Sequence, residues 1–127
     1  MKIKLPFVLI ILISLQSFAQ TSLRIYENDV YKNVKISEFQ GAHLNSECIK
    51  GGKPQCKAWS CFLEKPKPRS KSNFPLAGDP AAQYCWDVEA KNRILKSVDN
   101  KQYDYCVFSD NSMIDSWDLY YKHFPRK

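Results

Sequence analysis

Five cysteines, Cys48, Cys56, Cys61, Cys85 and Cys106, are the residues of this 127-residue chain whose type and spacing most directly carry chemistry. Thiols can bind metal, act as nucleophiles beside a base, or pair as disulfides in an oxidising compartment. Cys56 and Cys61 with His43 lack the close paired spacing of a structural zinc site, so no metal is expected. A Cys61 nucleophile would need His43 or His123 as its base, and no local motif joins them. Asp115 and Asp118 stand three apart, as an acid pair or a cation site could, but first-turn acids suit a helix dipole without further purpose. They are expected on the exposed side of a C-terminal helix. Phosphate loops, Gly-x-Ser-x-Gly, His-Glu-x-x-His and calcium loops are absent from the sequence. The chain is therefore read as non-catalytic and without a cofactor, and its cysteines as a covalent framework.

The N-terminus supports that choice of compartment. Lys2 and Lys4 precede an apolar stretch from Leu5 to Leu15, and Ser17-Phe18-Ala19 offers small residues for cleavage. Residues 1–19 are read as a secretory signal peptide cleaved before Gln20, giving a periplasmic or secreted protein. The new N-terminus is not a cysteine, so lipid anchoring there is not expected, and no later apolar run has the length of a membrane span. The full chain carries a formal charge of +6; without Lys2 and Lys4 the count is seventeen basic residues against thirteen acidic. Seven of those basic residues fall at positions 50–71, with Glu64 as the only acid among them. Such a patch attracts anionic surfaces. Its core, Lys65-Pro66-Lys67-Pro68-Arg69-Ser70-Lys71, reads more simply as a solvated linker held extended by proline and charge repulsion.

That linker, placed at residues 65–78, divides the exported chain into a β-rich segment at 20–64 and a second unit at 79–127. In the first, Val34 and Ile36 alternate with Lys35 and Ser37, and Glu27-Asn28-Asp29 reads as a turn between short strands. Residues 57–64 fit either a strand or a helical turn. The second unit opens at Asp79-Pro80, an N-cap acid before a helical proline, and Ala81, Tyr84, Cys85 and Val88 follow on one apolar face. Residues 93–98 and 102–108 are rich in β-formers and flank the polar turn Asp99-Asn100-Lys101, which predicts a hairpin. Ser112 and Asp115 resemble a capping box, after which Ile114, Trp117, Tyr121 and Phe124 recur at helical spacing. Trp117, Tyr121 and Phe108 are expected in the core, with Tyr103 and Tyr120 exposed. The fold class expected is α+β: a small disulfide-stapled domain with a C-terminal α-β-β-α unit behind a short, mostly β segment.

Asp79-Pro80-Ala81-Ala82-Gln83-Tyr84-Cys85, Tyr105-Cys106-Val107-Phe108-Ser109-Asp110 and Ile114-Asp115-Ser116-Trp117 together resemble the bacterial domain of unknown function 333, whose members often carry a hemolysin label. The resemblance spans about residues 79–124 and implies an exported envelope protein without supplying catalytic residues. Two positions depart from the family pattern. Glu89-Ala90 stands where the family has Gly-Gly, suggesting a helix one turn longer, and Asn111 replaces a turn glycine whose left-handed conformation asparagine tolerates.

The helix and hairpin bring Cys85 and Cys106 to one interior and so pair them. Within the remaining trio, the turn at Gly51-Gly52-Lys53-Pro54 favours Cys48 with Cys56, leaving Cys61 free or available to link two chains. The expected function is an exported, non-catalytic module that binds a protein or cell-envelope component through Lys65, Lys67, Arg69, Lys71, Tyr103 and Tyr120. Neither specific nucleic-acid binding nor stable membrane insertion is expected, and the oligomeric state is open. The alternative is a membrane-active, hemolysin-like protein, which should show a basic amphipathic helix or an apolar hairpin; neither is visible.

Overall fold

Asn28 and Asp29 both adopt positive φ, 50° and 64°, which is the two-residue turn whose twist suits a tight hairpin. They join β1 (Gln20–Glu27) to β2 (Val30–Phe39) in register from Gln20–Ser37 to Glu27–Val30. The computed structural model describes residues 20–69 and 79–127. The expected signal peptide and linker residues 70–78, Lys71 among them, lie outside the described residues. β3 (Ala42–Asn45) follows β2, and a 3-10 turn (Ser46–Cys48) leads to the small ribbon of β4 (Ile49–Lys50) and β5 (Lys53–Pro54). The ambiguous stretch after Cys56 is helical, α1 (Lys57–Leu63).

Beyond the linker come α2 (Pro80–Asp87), β6 (Lys91–Lys96), β7 (Gln102–Val107), β8 (Met113–Asp115) and α3 (Ser116–His123). Six strands close into an antiparallel barrel in the order β1-β2-β3-β8-β7-β6. Leu23, Ile25, Ile36, Leu95 and Tyr105 form a cluster of strand residues alone, the barrel interior. The opposite faces of β3, β7 and β8 present Leu44, Cys106 and Ile114 to Ala58, Phe62, Tyr84 and Leu119 of the three helices, making a second and larger core. Period-two alternation thus serves two apolar compartments, one on each face of the sheet wall.

Both disulfides staple the helix-covered core. Cys85–Cys106 ties α2 to β7, and Cys48–Cys56 closes the β4–β5 ribbon beneath α1. Cys61 is unpaired and buried, and burial with the Glu64 charge pushes its thiol pKa up to about 11. Among the described residues no helix is long and apolar enough to cross a membrane.

The barrel overturns the expected α+β class. The helix, hairpin and helix of residues 79–127 exist, but they are not a separate α-β-β-α layer. β6 pairs with β1 and β8 with β3, so the described residues are mostly β, with three short helices outside one closed wall. Local periodicity cannot report these pairings between distant segments.

The last helix also starts later than its pattern predicts. Ile114 and Asp115 belong to β8, and Asp115 itself is the N-cap, accepting hydrogen bonds from the Trp117 and Asp118 N–H groups at 2.9 and 3.0 Å. Counting helical phase from Ile114 therefore selected the wrong face. The buried stripe is Ser116, Leu119, Tyr120 and His123, while Trp117 and Tyr121 are half-buried and stack on each other at the rim. Ser112 is no cap of this helix; its hydroxyl accepts from the Ala58 N–H at 2.9 Å, docking α1.

α2 does not run the extra turn suggested by Glu89-Ala90. Glu89 takes φ 63°, and the Ala90 and Glu89 N–H groups close back on the carbonyls of Cys85 and Trp86 at 2.8 and 3.0 Å. This is a glycine-type helix stop made by a glutamate. Asn111, at φ 66°, fills its glycine's role as expected.

Candidate functional site

Of the sheet's seams, the one between β1 and β6 pairs at two positions, Arg24–Lys96 and Ile25–Leu95, and then opens. Beyond it each strand keeps its other partner, β2 or β7. A cavity of about 460 Å³ occupies the opening, lined among others by Arg24, Tyr26, Tyr31, Arg93, Ile94 and Lys96, with no carboxylate among the described residues of its wall. Tyr26 and Tyr31 are cross-strand partners across the Asn28-Asp29 turn, with ring centroids 5.0 Å apart, and are 55% and 52% exposed. Arg24 is held in place: its guanidinium lies 5.3 Å from the Tyr31 ring centroid and donates to the Ser97 carbonyl at 3.2 Å and Asn100 Oδ1 at 3.3 Å. Its Nε is buried without an acceptor among the described residues. No ion pair among those residues engages Arg24, Arg93 or Lys96. Cations gathered around aromatic faces with no acid to neutralise them form a seat for an anion.

A second polar cluster spans the β3–β8 seam, where only Leu44–Ile114 is paired. Asp118 Oδ2 accepts from the His43 backbone N–H at 2.9 Å and lies 2.7 Å from His43 Nδ1, while Glu38 Oε2 lies 3.6 Å from Nε2. Burial opposes the imidazolium, but the Asp118 hydrogen bond and the charges of Asp118, Glu38 and Asp115 outweigh it and raise His43 above its ordinary value. Burial and the Asp118 charge push Asp115 up to about 6, against the two backbone N–H groups that it caps. Neither acid is on an exposed helix side, contrary to expectation. This arrangement clasps β3 to α3; among the described residues no group of three or more His, Cys, Asp or Glu is placed to hold a metal.

Where it is described, the basic linker is tied to the helices at two points. Lys65, Lys67 and Arg69 are exposed, but the Lys67 N–H donates to Tyr84 Oη at 3.0 Å and Arg69 donates to Tyr120 Oη at 2.7 Å. Arg69 also lies 5.0 Å from the Phe124 ring centroid. Residues 65–69 thus strap across α2 and α3. Tyr120, expected outside, is buried by this strap and the aromatic cluster around it. Tyr103 is exposed at 39%, as expected, but it does not line the cleft.

Sequence reasoning missed Arg24, Tyr26, Tyr31, Arg93 and Lys96. Tyr26 and Tyr31 sit symmetrically about the turn, which places them side by side on one face of a hairpin; that signal was present. His43 and Asp118 are 75 positions apart and offer no local signal.

Residues 77–123 match the family model described as a domain of unknown function, DUF333. The DUF333 stretch therefore supplies α2, β6, β7, β8 and α3, including three of the six barrel strands. No curated protein and no solved structure matches the chain. Both polar sites straddle the edge of the DUF333 match: Arg93 and Lys96 lie inside it with Arg24 and Tyr31 outside, and Asp118 lies inside it with His43 outside.

Proposed function

We propose that this chain is an exported, non-catalytic binding module whose ligand is anionic and occupies the cleft between β1 and β6. The observation that carries the reading is the cavity wall, acid-free among the described residues, that holds Arg24, Arg93 and Lys96, none of them in an ion pair with those residues. Two disulfides and the signal-like N-terminus support an oxidising compartment outside the cytoplasm. The strap residues Lys65, Lys67 and Arg69 are a weaker candidate surface, because the Arg69 guanidinium already donates to Tyr120 of α3.

A basic protein adheres to any anionic matrix, so the test needs a charge-matched control. On immobilised polyglutamate and polygalacturonate, the double variant Arg93→Gln/Lys96→Gln should elute at lower salt than Lys50→Gln/Lys53→Gln, which removes equal charge elsewhere. Equal elution of the two variants would remove the cleft from consideration. Dye release from anionic liposomes tests the membrane-active alternative: leakage by the oxidised protein would favour it over the binding module.

A further inference from the structure

Antiparallel strands that begin a ladder normally continue it until one of them ends. β1 and β6 do not: the next rungs would join Tyr26 to Ile94 and Glu27 to Arg93, yet the register stops at Ile25–Leu95. Residues 91–94 of β6 pair with β7 on one side, and no strand of the described residues pairs with them on the other. An open edge presents backbone donors and acceptors at strand spacing and is the feature onto which extended peptides add. Four residues of edge offer about 13 Å of ladder.

The side chains around this edge select what can use it. Ile94 is 49% exposed and, with Tyr26 and Tyr31, gives an apolar wall to the cavity, while Arg24, Arg93 and Lys96 give it positive charge. Cationic side chains on an edge ordinarily repel further strands, and they do so here for neutral or basic ones. A strand with acids at alternate positions reverses the sign of that effect. Its residues on the outer face of the wall, two apart, meet Tyr26, Ile94 and Lys96 together, and the intervening ones meet Arg93 on the inner face.

We propose that the splay between β1 and β6 receives an extended acidic peptide segment of a partner protein, added as a strand along residues 91–94. This rests on the reading of the cleft as the binding site and names its occupant. An acidic glycan could satisfy the same cations, but it would leave the ladder edge unused; the edge is what favours a polypeptide.

The probe is an acetylated and amidated five-residue peptide of alternating glutamate and valine, titrated at low salt into the purified, oxidised, isotope-labelled protein. Amide resonances of residues 25–27 and 91–94 should shift. Methylating the peptide nitrogens of the valines, which removes ladder donors but no charge, should weaken binding by roughly tenfold or more. Arg93→Gln should weaken it comparably at an unchanged melting temperature. Equal binding of the methylated peptide, or tighter binding of oligogalacturonate at the same resonances, overturns strand addition and leaves the cleft a binding site. Absence of shifts at the cleft with every probe overturns both readings.

Discussion

Asp115 combines two demands that conflict above neutrality. Its carboxylate caps α3, which any good acceptor can do, and it sits half-buried beside Asp118, which disfavours its charge. Its pKa of about 6 in the fold exceeds its ordinary value, so the native state binds this proton more tightly than the unfolded chain does. Stability from this group is complete below about pH 4 and is lost as pH rises through about 6. His43, also raised, adds to the same trend: its contribution is present below its ordinary value and is lost as pH rises through the folded value. Asp115→Asn keeps a capping acceptor and removes the half-buried charge. It should raise the melting temperature at pH 8 by the equivalent of up to about 3 kcal/mol and change it little at pH 4. Equal shifts at both pH values would show that charge at Asp115 is not the source. Glu89 makes a second residue-scale case. It holds φ 63° at the position where a helix stop favours glycine, so Glu89→Gly should stabilise by about 0.5–1 kcal/mol in chemical denaturation. A destabilised variant would mean that the glutamate side chain does more than tolerate the turn.

Elements were legible in the sequence where a local signal sets both type and phase. Asp79 caps α2 as its position suggests, accepting from the Ala82 N–H at 2.7 Å, and Ala81, Tyr84, Cys85 and Val88 are all buried. That correct phase is why the Cys85–Cys106 pairing could be read at all. α3 was read out of phase because Ile114 is apolar for a different reason: it faces outward from β8 into the helix-covered core opposite Leu44 and Cys106. A strand running directly into a helix leaves no turn residue to separate the two periods. The cleft was less legible than either, since its wall is assembled from β1, β2, β6 and β7. The corrected phase reverses an expectation about stability. Leu119 is fully buried and Trp117 half-buried, so Leu119→Ala should cost about 2–4 kcal/mol and Trp117→Ala clearly less. Thermal melts of the two variants decide it, and a larger loss at Trp117 would restore the original stripe.

At the scale of the molecule, the family match covers a stretch that the barrel does not leave self-sufficient. Residues 77–123 carry β6, β7 and β8, but β6 closes on β1 and β8 on β3. Cutting the chain at residue 77 would open both outer strands and remove Leu23, Ile25 and Ile36 from around Leu95 and Tyr105. The helix-covered core would lose Ala42, Leu44, Ala58 and Phe62 in the same cut. Burying one large aliphatic or aromatic side chain contributes about 1.5–3 kcal/mol, so the loss of several equals most of the 5–15 kcal/mol that holds a typical domain. The Cys85–Cys106 bridge would survive, and its loop is worth roughly 3 kcal/mol, but that gain acts on the unfolded chain and rebuilds no core. A fragment of residues 77–127 with this disulfide formed should therefore show no cooperative melt and poorly dispersed amide resonances, whereas residues 20–127 melt in one transition. A sharp melt of the fragment alone would mean that α2, α3 and the disulfide suffice, and that β1–β3 were added to a unit already able to fold.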